Sequence, residues 1–241
     1  MDDFTDIHCH VLPGVDDGSR SYEESLEMLR IMYDEGIGTV ILTPHYHGGH
    51  VEPSIEVIRS RFEKLKKAAA ADETLRCMKL YTGCEVFYFP SVVEWLAEGR
   101  VATMAGSDYV LLEFGYSMDK RMIADGVNTV VSCGYRPIIA HIERYRKLVG
   151  DLRAVDEMIE RGAYIQINSE ALSEKHKIRS FATKMLKRDM VHFIATDAHD
   201  TKHRPPYLWN EAEYITKHYG KECCERLLVE NPARLINNDY I

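Results

Sequence analysis

Five histidines stand where short apolar, β-branched stretches give way to polar residues: His8, His10, His45, His141 and His199. Imidazole at such a position is a metal ligand or a proton carrier, and its neighbours decide which. His8 and His10 lie two residues apart, so an extended backbone turns both rings to one side and both can bind one ion. Thr196-Asp197-Ala198-His199 repeats that spacing near the other end of the chain, with the carboxylate of Asp197 first and His199 second. Glu85, in Gly83-Cys84-Glu85, and Glu113, in Leu111-Leu112-Glu113, end two further apolar runs with an acid. Taken singly, each acid reads equally well as an exposed carboxylate where the chain leaves a sheet. Taken together they read as a site, and because carboxylates can bridge two ions, the set implies a cluster of two or three metals.

Three further groups sit near these ligands in sequence. The Gly14-Val15-Asp16-Asp17-Gly18 loop either turns the chain or places one carboxylate on a metal, and two acids allow both, with Asp16 and Asp17 as alternatives for the ligand. Arg144, three residues after His141, and Arg204, five after His199, match phosphate geometry with their planar guanidinium forks, although a surface ion pair is an equal reading for Arg204. His47 and His50 are expected on a loop beside the site, touching substrate at most.

The elements that must position these residues alternate along the chain. Strands are predicted over Phe4–Ile7, Thr39–Thr43, Lys79–Thr82, Tyr109–Leu112, Pro137–Ala140, Tyr164–Ile167 and His192–Ala195, each short and apolar enough to be buried on both faces. Helical signals separate them: Ser21-Tyr22-Glu23-Glu24 reads as a capping box opening a helix to Gly36, and Ile55, Ile58, Phe62 and Leu65 recur at helical spacing over 54–71. Further helices fit 91–98, 118–133, 151–161, 175–188, 206–218 and 221–230. Strand–helix alternation implies right-handed crossovers and a parallel sheet. Six of the seven strand ends deliver a metal-type ligand, and the other offers Asn168, which could orient a ligand or substrate from behind. An open sheet gathers its site at one switch point, whereas a barrel lets every strand reach one mouth, so a small, distorted β/α barrel of about seven strands is expected.

Composition limits the alternatives. The chain has 241 residues, 45% of them hydrophobic and 28% charged, enough for one sizeable core, and no linker or repeat divides 1–241. Its formal charge of −8 disfavours electrostatic capture of nucleic acid or anionic lipid. There is no apolar run of membrane-spanning length, and the chain begins Met1-Asp2-Asp3 where a signal peptide would be basic, so a cytoplasmic protein without stable membrane insertion is expected. The six cysteines form no CxxC pair, and no arginine follows any of them by six positions, as a cysteine phosphatase would need. The GxSxG, GxxxxGK[ST] and complete GxGxxG motifs are also missing. Phosphatase chemistry on this chain must be metal-based.

The assembled blocks resemble the polymerase and histidinol phosphatase (PHP) superfamily, most closely its bacterial protein tyrosine phosphatases of the CpsB/CapC type. The matching stretches are Asp6-Ile7-His8-Cys9-His10, Asp16-Asp17-Gly18, Thr43-Pro44-His45, Gly83-Cys84-Glu85, Leu112-Glu113-Phe114, His141-Ile142-Glu143-Arg144-Tyr145 and Thr196-Asp197-Ala198-His199, in family order over nearly the whole chain. The resemblance implies an α/β fold, a distorted (β/α)7 TIM-like barrel of the PHP type, holding two or three divalent ions, with Mn²⁺ expected and Zn²⁺ or Fe as alternatives. It places His8, His10, Glu85 and Asp197 on a first ion, Glu85, Glu113 and His141 on a second, and Asp17, His45 and His199 on a third. Arg144 and Arg204 would serve the phosphoryl group, and Cys9 is not needed as a nucleophile. The implied substrate is the phosphotyrosine tail of a bacterial tyrosine kinase that controls capsule or exopolysaccharide synthesis; homo-oligomerisation stays open. Two other readings remain: a small-molecule PHP phosphatase such as a histidinol-phosphate hydrolase, and a metal-stabilised binding module without turnover.

Overall fold

The computed structural model describes residues 3–173 and 176–241. The acidic start at Met1-Asp2 and the predicted helix start at Lys175 lie outside the described residues. Among the described residues there are nine parallel strands: β1 (Phe4–Cys9), β2 (Ile37–Leu42), β3 (His45–Tyr46), β4 (Lys79–Thr82), β5 (Glu85–Phe87), β6 (Tyr109–Glu113), β7 (Arg136–Ile139), β8 (Tyr164–Asn168) and β9 (Phe193–Ala195). All seven predicted strands are among them. The two extra ones, β3 and β5, continue β2 and β4 beyond breaks at Thr43-Pro44 and Gly83-Cys84, so the barrel still has seven staves, two of them broken. Pro44 has no N–H to give a ladder, and a Cβ on Gly83 would stand 2.8 Å from Met104 Sδ, which explains the residue type at each break.

The strands run in two hydrogen-bonded sets, β1-β2-β4 and β3-β5-β6-β7-β8-β9. Asp197 N–H donates to His8 C=O at 2.8 Å and His10 N–H to Ala198 C=O at 2.8 Å, which joins β9 to β1 and curls the sheet round on itself. Buried Asp6 strengthens the seam: its carboxylate accepts the Thr196 N–H (3.1 Å) and hydroxyl (2.5 Å). Between β4 and β6 the ladder is open, and the turn at Met104–Gly106 fills the gap with a fully buried Met104.

Two apolar layers result. Inside the barrel lie Ile7, Ile41, Tyr109, Leu111, Ile138 and Phe193, closed from below by Leu235. Outside it the strands pack against the helices α1 (Tyr22–Asp34), α2 (Ile55–Ala71), α3 (Val92–Ala97), α4 (Lys120–Ser132), α5 (Leu152–Glu160), α6 (Lys177–Lys187) and α7 (Trp209–Tyr219). The predicted cap on α1 forms, with Ser21 Oγ accepting the Glu24 N–H at 3.2 Å. Glu24 then reaches back to the N–H of Arg20 (2.8 Å), one residue earlier than a capping box requires.

The C-terminal helix is longer than predicted. The pattern ends it at Glu230, before Asn231-Pro232, but the chain runs from α8 (Lys221–Glu225) through a π-helical turn at Arg226–Glu230 into α9 (Asn231–Ile236). Pro232 sits at the start of α9, where its missing N–H is tolerated, and the wider π turn before it is how the backbone continues without the usual clash.

Candidate metal centre

Parallel strands bring all their C-terminal ends to one face, and the predicted ligands meet there. At the end of β1 the ladder slips: Asp6 pairs with Val40 but Cys9 with Leu42, so β1 carries an extra residue. Such a bulge re-aims side chains beside active sites. Here Ile7 enters the barrel's apolar core while His8 and His10, both fully buried, converge with their Nε2 atoms 3.4 Å apart. Thr43 clamps the residue between them, accepting the Cys9 N–H on its hydroxyl at 3.1 Å and donating its own N–H to Cys9 C=O at 2.9 Å.

Glu85 and Asp197 complete this group. His8 Nε2 lies 3.3 Å from Glu85 Oε2 and 3.5 Å from Asp197 Oδ1; His10 Nε2 lies 3.3 and 3.4 Å from the same two oxygens. With the His8–His10 separation, five of the six distances among these four atoms lie between 3.3 and 3.5 Å. A tetrahedron of that edge has its centre about 2.1 Å from each corner, the bonding distance of a divalent transition metal to imidazole and carboxylate. Glu85 Oε2 is buried and has no hydrogen-bond partner, although His45 Nδ1 is 2.8 Å away, because the angles between them are wrong for one. Orphaned buried acceptors are rare, and a carboxylate oxygen left without a hydrogen bond where two imidazoles and a second carboxylate converge fits a cation.

His45 turns its other nitrogen outward: Nε2 lies 3.5 Å from Asp17 Oδ1, and His199 Nε2, buried and without a hydrogen-bond partner, lies 3.6 Å from the same oxygen. The acid loop therefore divides its two carboxylates. Asp17 is exposed and faces the imidazoles, whereas buried Asp16 braces them, with Oδ2 2.8 Å from His10 Nδ1 and accepting the His45 N–H at 2.9 Å. Gly18 is needed to close the loop, since a Cβ there would stand 2.1 Å from His10 O. His141 Nε2 lies 2.8 Å from Glu85 Oε1 and 3.8 Å from Glu113 Oε1, and His45 Nδ1 is 3.9 Å from Glu113 Oε2. The two acids of that group are thus approached by two imidazoles, where the sequence anticipated His141 alone.

Both Arg144 and Arg204 are at the mouth. Arg144 Nη1 is 3.0 Å and Arg204 Nη2 2.5 Å from Asp197 Oδ2, on the side of the carboxylate away from the histidines. Arg144 gives its second amino group to Glu170 at 2.8 Å. His47 is not at a loose loop tip: it stacks on Phe87, with ring centres 4.1 Å apart and planes within 13°. His141 (φ +30°) and Asp197 (φ +53°) have left-handed backbones, a cost tolerated where surroundings over-determine the geometry and frequent at functional sites.

In the ion-free protein the groups divide by charge. Burial pulls the His199 imidazole down to about 3, and the neighbouring His10 pushes the same way, so it is neutral with Nε2 free. Burial likewise lowers His141. Burial opposes the charged form of His8, His10 and His45, but Glu85 beside His8 and His45, and Asp16 beside His10, outweigh it and raise all three. Burial and the Glu85 charge push Glu113 up to about 7. Glu85 itself is held well below the usual range by His8 and His45 in spite of its burial.

Cys9 lies between the two histidines but is buried, with burial raising its thiol well above the ordinary value. A thiol of that kind is no nucleophile. Cys9→Ser is expected to retain phosphatase turnover within about threefold in steady-state assays, and a loss beyond tenfold would contradict this.

Sequence reasoning missed three participants. From the sequence Asp16 is only an alternative to Asp17. Asp6 gives no signal beyond its place in Asp6-Ile7-His8. Gln166 belongs to no motif, yet it and Asn168 stand two apart in an otherwise apolar strand, the alternation that marks inward-facing positions.

Comparison with known proteins adds findings of three kinds. A family model described as "Capsular polysaccharide synthesis, CpsB/CapC" matches residues 4–237. The chain is 35% identical over 243 residues to the tyrosine-protein phosphatase CpsB of Streptococcus pneumoniae, covering 98% of this chain and 99% of that one. It is 29% identical over 238 residues to the tyrosine-protein phosphatase YwqE of Bacillus subtilis, covering 98% and 92%. Among solved structures, one reported for YwqE from Bacillus subtilis and CpsB from Streptococcus pneumoniae, described as unique metal-dependent tyrosine phosphatases, superposes with a TM-score of 0.90 at 30% identity, covering 98% and 96% of the two chains. The phosphotriesterase homology protein of Escherichia coli shares the fold alone, at a TM-score of 0.60 and 12% identity over 98% and 99%.

Proposed function

Because the chain belongs to the CpsB/CapC family of capsular polysaccharide synthesis, we propose that its histidine–carboxylate cluster is the active site of a metal-dependent tyrosine-protein phosphatase. The observation that carries this reading is the convergence of His8, His10, Glu85 and Asp197 on one buried point, around an acid oxygen with no hydrogen-bond partner. The donor set suits Mn²⁺, Fe or Zn²⁺ rather than a hard ion such as Mg²⁺, and we take Mn²⁺ as the working ion. In this reading His8, His10, Glu85 and Asp197 hold one ion, Glu85, Glu113 and His141 a second, and Asp17, His45 and His199 a third. Three divalent ions would bring the formal charge from −8 to −2, so the chain's acidity is no obstacle to an anionic substrate.

Bound ions supply an acidified water and charge neutralisation at phosphorus. The chain's own residues supply placement. Arg144 and Arg204 stand at the rim with Asp197 between them and offer bidentate contacts to the equatorial phosphoryl oxygens. Arg144 must first release Glu170, an exposed acid whose ion pair is worth at most about 1 kcal/mol, so a phosphoryl oxygen can replace it at low cost. Tyr116, 45% exposed, stands edge-on to His141 and offers an aromatic wall to the ring of a phosphotyrosine. A phenolate leaving group, with a pKa of about 10, needs little help from a general acid. The substrate we assign is phosphotyrosine on a bacterial tyrosine kinase of the capsule pathway. Among the described residues no helix is long and apolar enough to cross a membrane.

The deciding assay compares a phosphotyrosine peptide, a phosphoserine peptide and histidinol phosphate, each with and without chelator and added Mn²⁺. Hydrolysis of the phosphotyrosine peptide alone, lost with chelator, is expected. Chelator-insensitive turnover would sink the metal reading, and a preference for histidinol phosphate would sink the tyrosine reading.

A further inference from the structure

Strand β8 brings none of the proposed ligands, yet it puts two amides, Gln166 and Asn168, beside the apolar Phe193 and Ala195 of β9. Gln166 and Asn168 are both completely buried, and amides in such a place are costly unless every group is satisfied. They form a continuous chain. Gln166 Oε1 accepts the backbone N–H of His141 at 2.6 Å and lies 3.2 Å from His8 Nδ1. Gln166 Nε2 donates to Asn168 Oδ1 at 2.9 Å, and Asn168 Nδ2 donates to Asp197 Oδ2 at 2.8 Å.

The polarity of this chain is fixed at both ends. A backbone N–H can only donate, so the Gln166 atom facing His141 must be the oxygen. Its NH₂ then points to Asn168, whose facing atom must be oxygen, and the Asn168 NH₂ meets a carboxylate that can only accept. Flipping either amide would set N–H against N–H and oxygen against oxygen. Two consequences follow for the proposed first ion. His8 Nδ1 faces an oxygen and so carries the ring proton, which leaves the lone pair on Nε2, the atom 3.3 Å from Glu85 and 3.5 Å from Asp197. Asp197 is turned so that Oδ2 receives Asn168, Arg144 and Arg204 while Oδ1 is left to the two histidines.

We propose that Gln166 and Asn168 are positioning residues: an amide relay that starts from the His141 backbone N–H, fixes Nδ1 as the nitrogen on which neutral His8 keeps its proton, and sets the rotation of Asp197. The same hydrogen bond steadies His141 in its left-handed conformation. The inference rests on His8 and Asp197 being ligands.

The test uses the full chain as wild type, Gln166→Met, Gln166→Glu and Asn168→Leu. Mn²⁺ and Zn²⁺ affinities are read by competition with a chromophoric chelator, and folding of the ion-free proteins by circular dichroism. Gln166→Met keeps the side-chain volume but removes all three hydrogen bonds of the amide, and should weaken the tightest site by about 10–100-fold. Gln166→Glu keeps the acceptor for His8 and His141 and should recover part of that loss. A folded Gln166→Met that binds within about threefold of wild type overturns the relay, as does a Gln166→Glu no better than Gln166→Met. Should Gln166→Met fail to fold, Asn168→Leu decides by the same criterion, because it releases Asp197 and Gln166 Nε2 while leaving the Gln166 Oε1 contacts to His8 and His141 in place. A wild-type chain that binds neither ion would instead overturn the ligand assignment on which the relay depends.

Discussion

Glu85→Gln is expected to cut hydrolysis of a phosphotyrosine peptide by ~10³-fold or more at saturating Mn²⁺, equivalent to about 4 kcal/mol of transition-state stabilisation. The substitution changes almost no volume. It removes one negative charge from the point where the whole cluster meets, since Glu85 Oε1 is 2.8 Å from His141 Nε2 and Oε2 is 2.8 Å from His45 and 3.3 Å from His8 and His10. An amide there can bridge two ions only poorly, and its NH₂ would face ring nitrogens that carry lone pairs. The matching change at Glu113 should cost less, because that residue is 13% exposed at the edge of the cluster and keeps access to water. Steady-state kinetics with metal content measured on the same samples separates lost ions from lost turnover. Activity within tenfold of wild type, with the full metal complement, would show that Glu85 is not the shared carboxylate.

Removal of the ions is the second large effect, and it should depend on pH in a defined direction. Chelation is expected to bring phosphotyrosine hydrolysis to background, and Mn²⁺ to restore it. In the ion-free protein His8, His10 and His45 hold their protons to higher pH than an ordinary histidine, through Glu85 and Asp16, and Glu113 holds its proton up to about 7. Every proton on a ligand must leave before the ion can bind. Affinity therefore falls as pH is lowered through the window below these raised values, by on the order of tenfold per pH unit for each proton displaced. His199, Asp197 and Glu85 add nothing to this slope near neutrality: the first is already neutral and the other two already ionised. Chelator competition at about pH 6 and 8, with calorimetry in two buffers of different ionisation enthalpy, reads both the slope and the protons released. A flat affinity over that interval would mean that the ions occupy other residues.

The site was far more legible in the sequence than its supports. A candidate ligand announces itself by being polar at the end of an apolar run, and His8, His10, His45, Glu85, Glu113, His141, Asp197 and His199 all do so because parallel strands present their C-terminal ends at one face. The alternation that predicted seven strands and the helices between them follows from the same local physics, the difference between a period of two and one of 3.6. What failed was where local rules compete. Pro232 reads as a stop, but a π turn before it lets the helix pass, and β3 and β5 are too short to register as runs, existing only because a neighbouring strand completes their hydrogen bonds.

Tertiary structure alone decided the division of labour. Asp16 and Asp17 are adjacent and chemically identical, and only packing against His10 buries one as a brace and leaves the other facing His45 and His199. The β1 bulge, which turns His8 inward together with Ile7, depends on register against β2, a non-local pairing that no window of sequence encodes. The orientation of Gln166 is the extreme case, because the meaning of its amide comes from His141, 25 residues away, and His8, 158 residues away. Residue type and spacing thus determined which groups this chain can bring to an ion. Contacts from distant elements, Gln166 to His8, Asn168 to Asp197 and Asp16 to His10, decide which nitrogen and which oxygen each of them turns into the cluster, because they set tautomers and rotamers that a linear pattern leaves free.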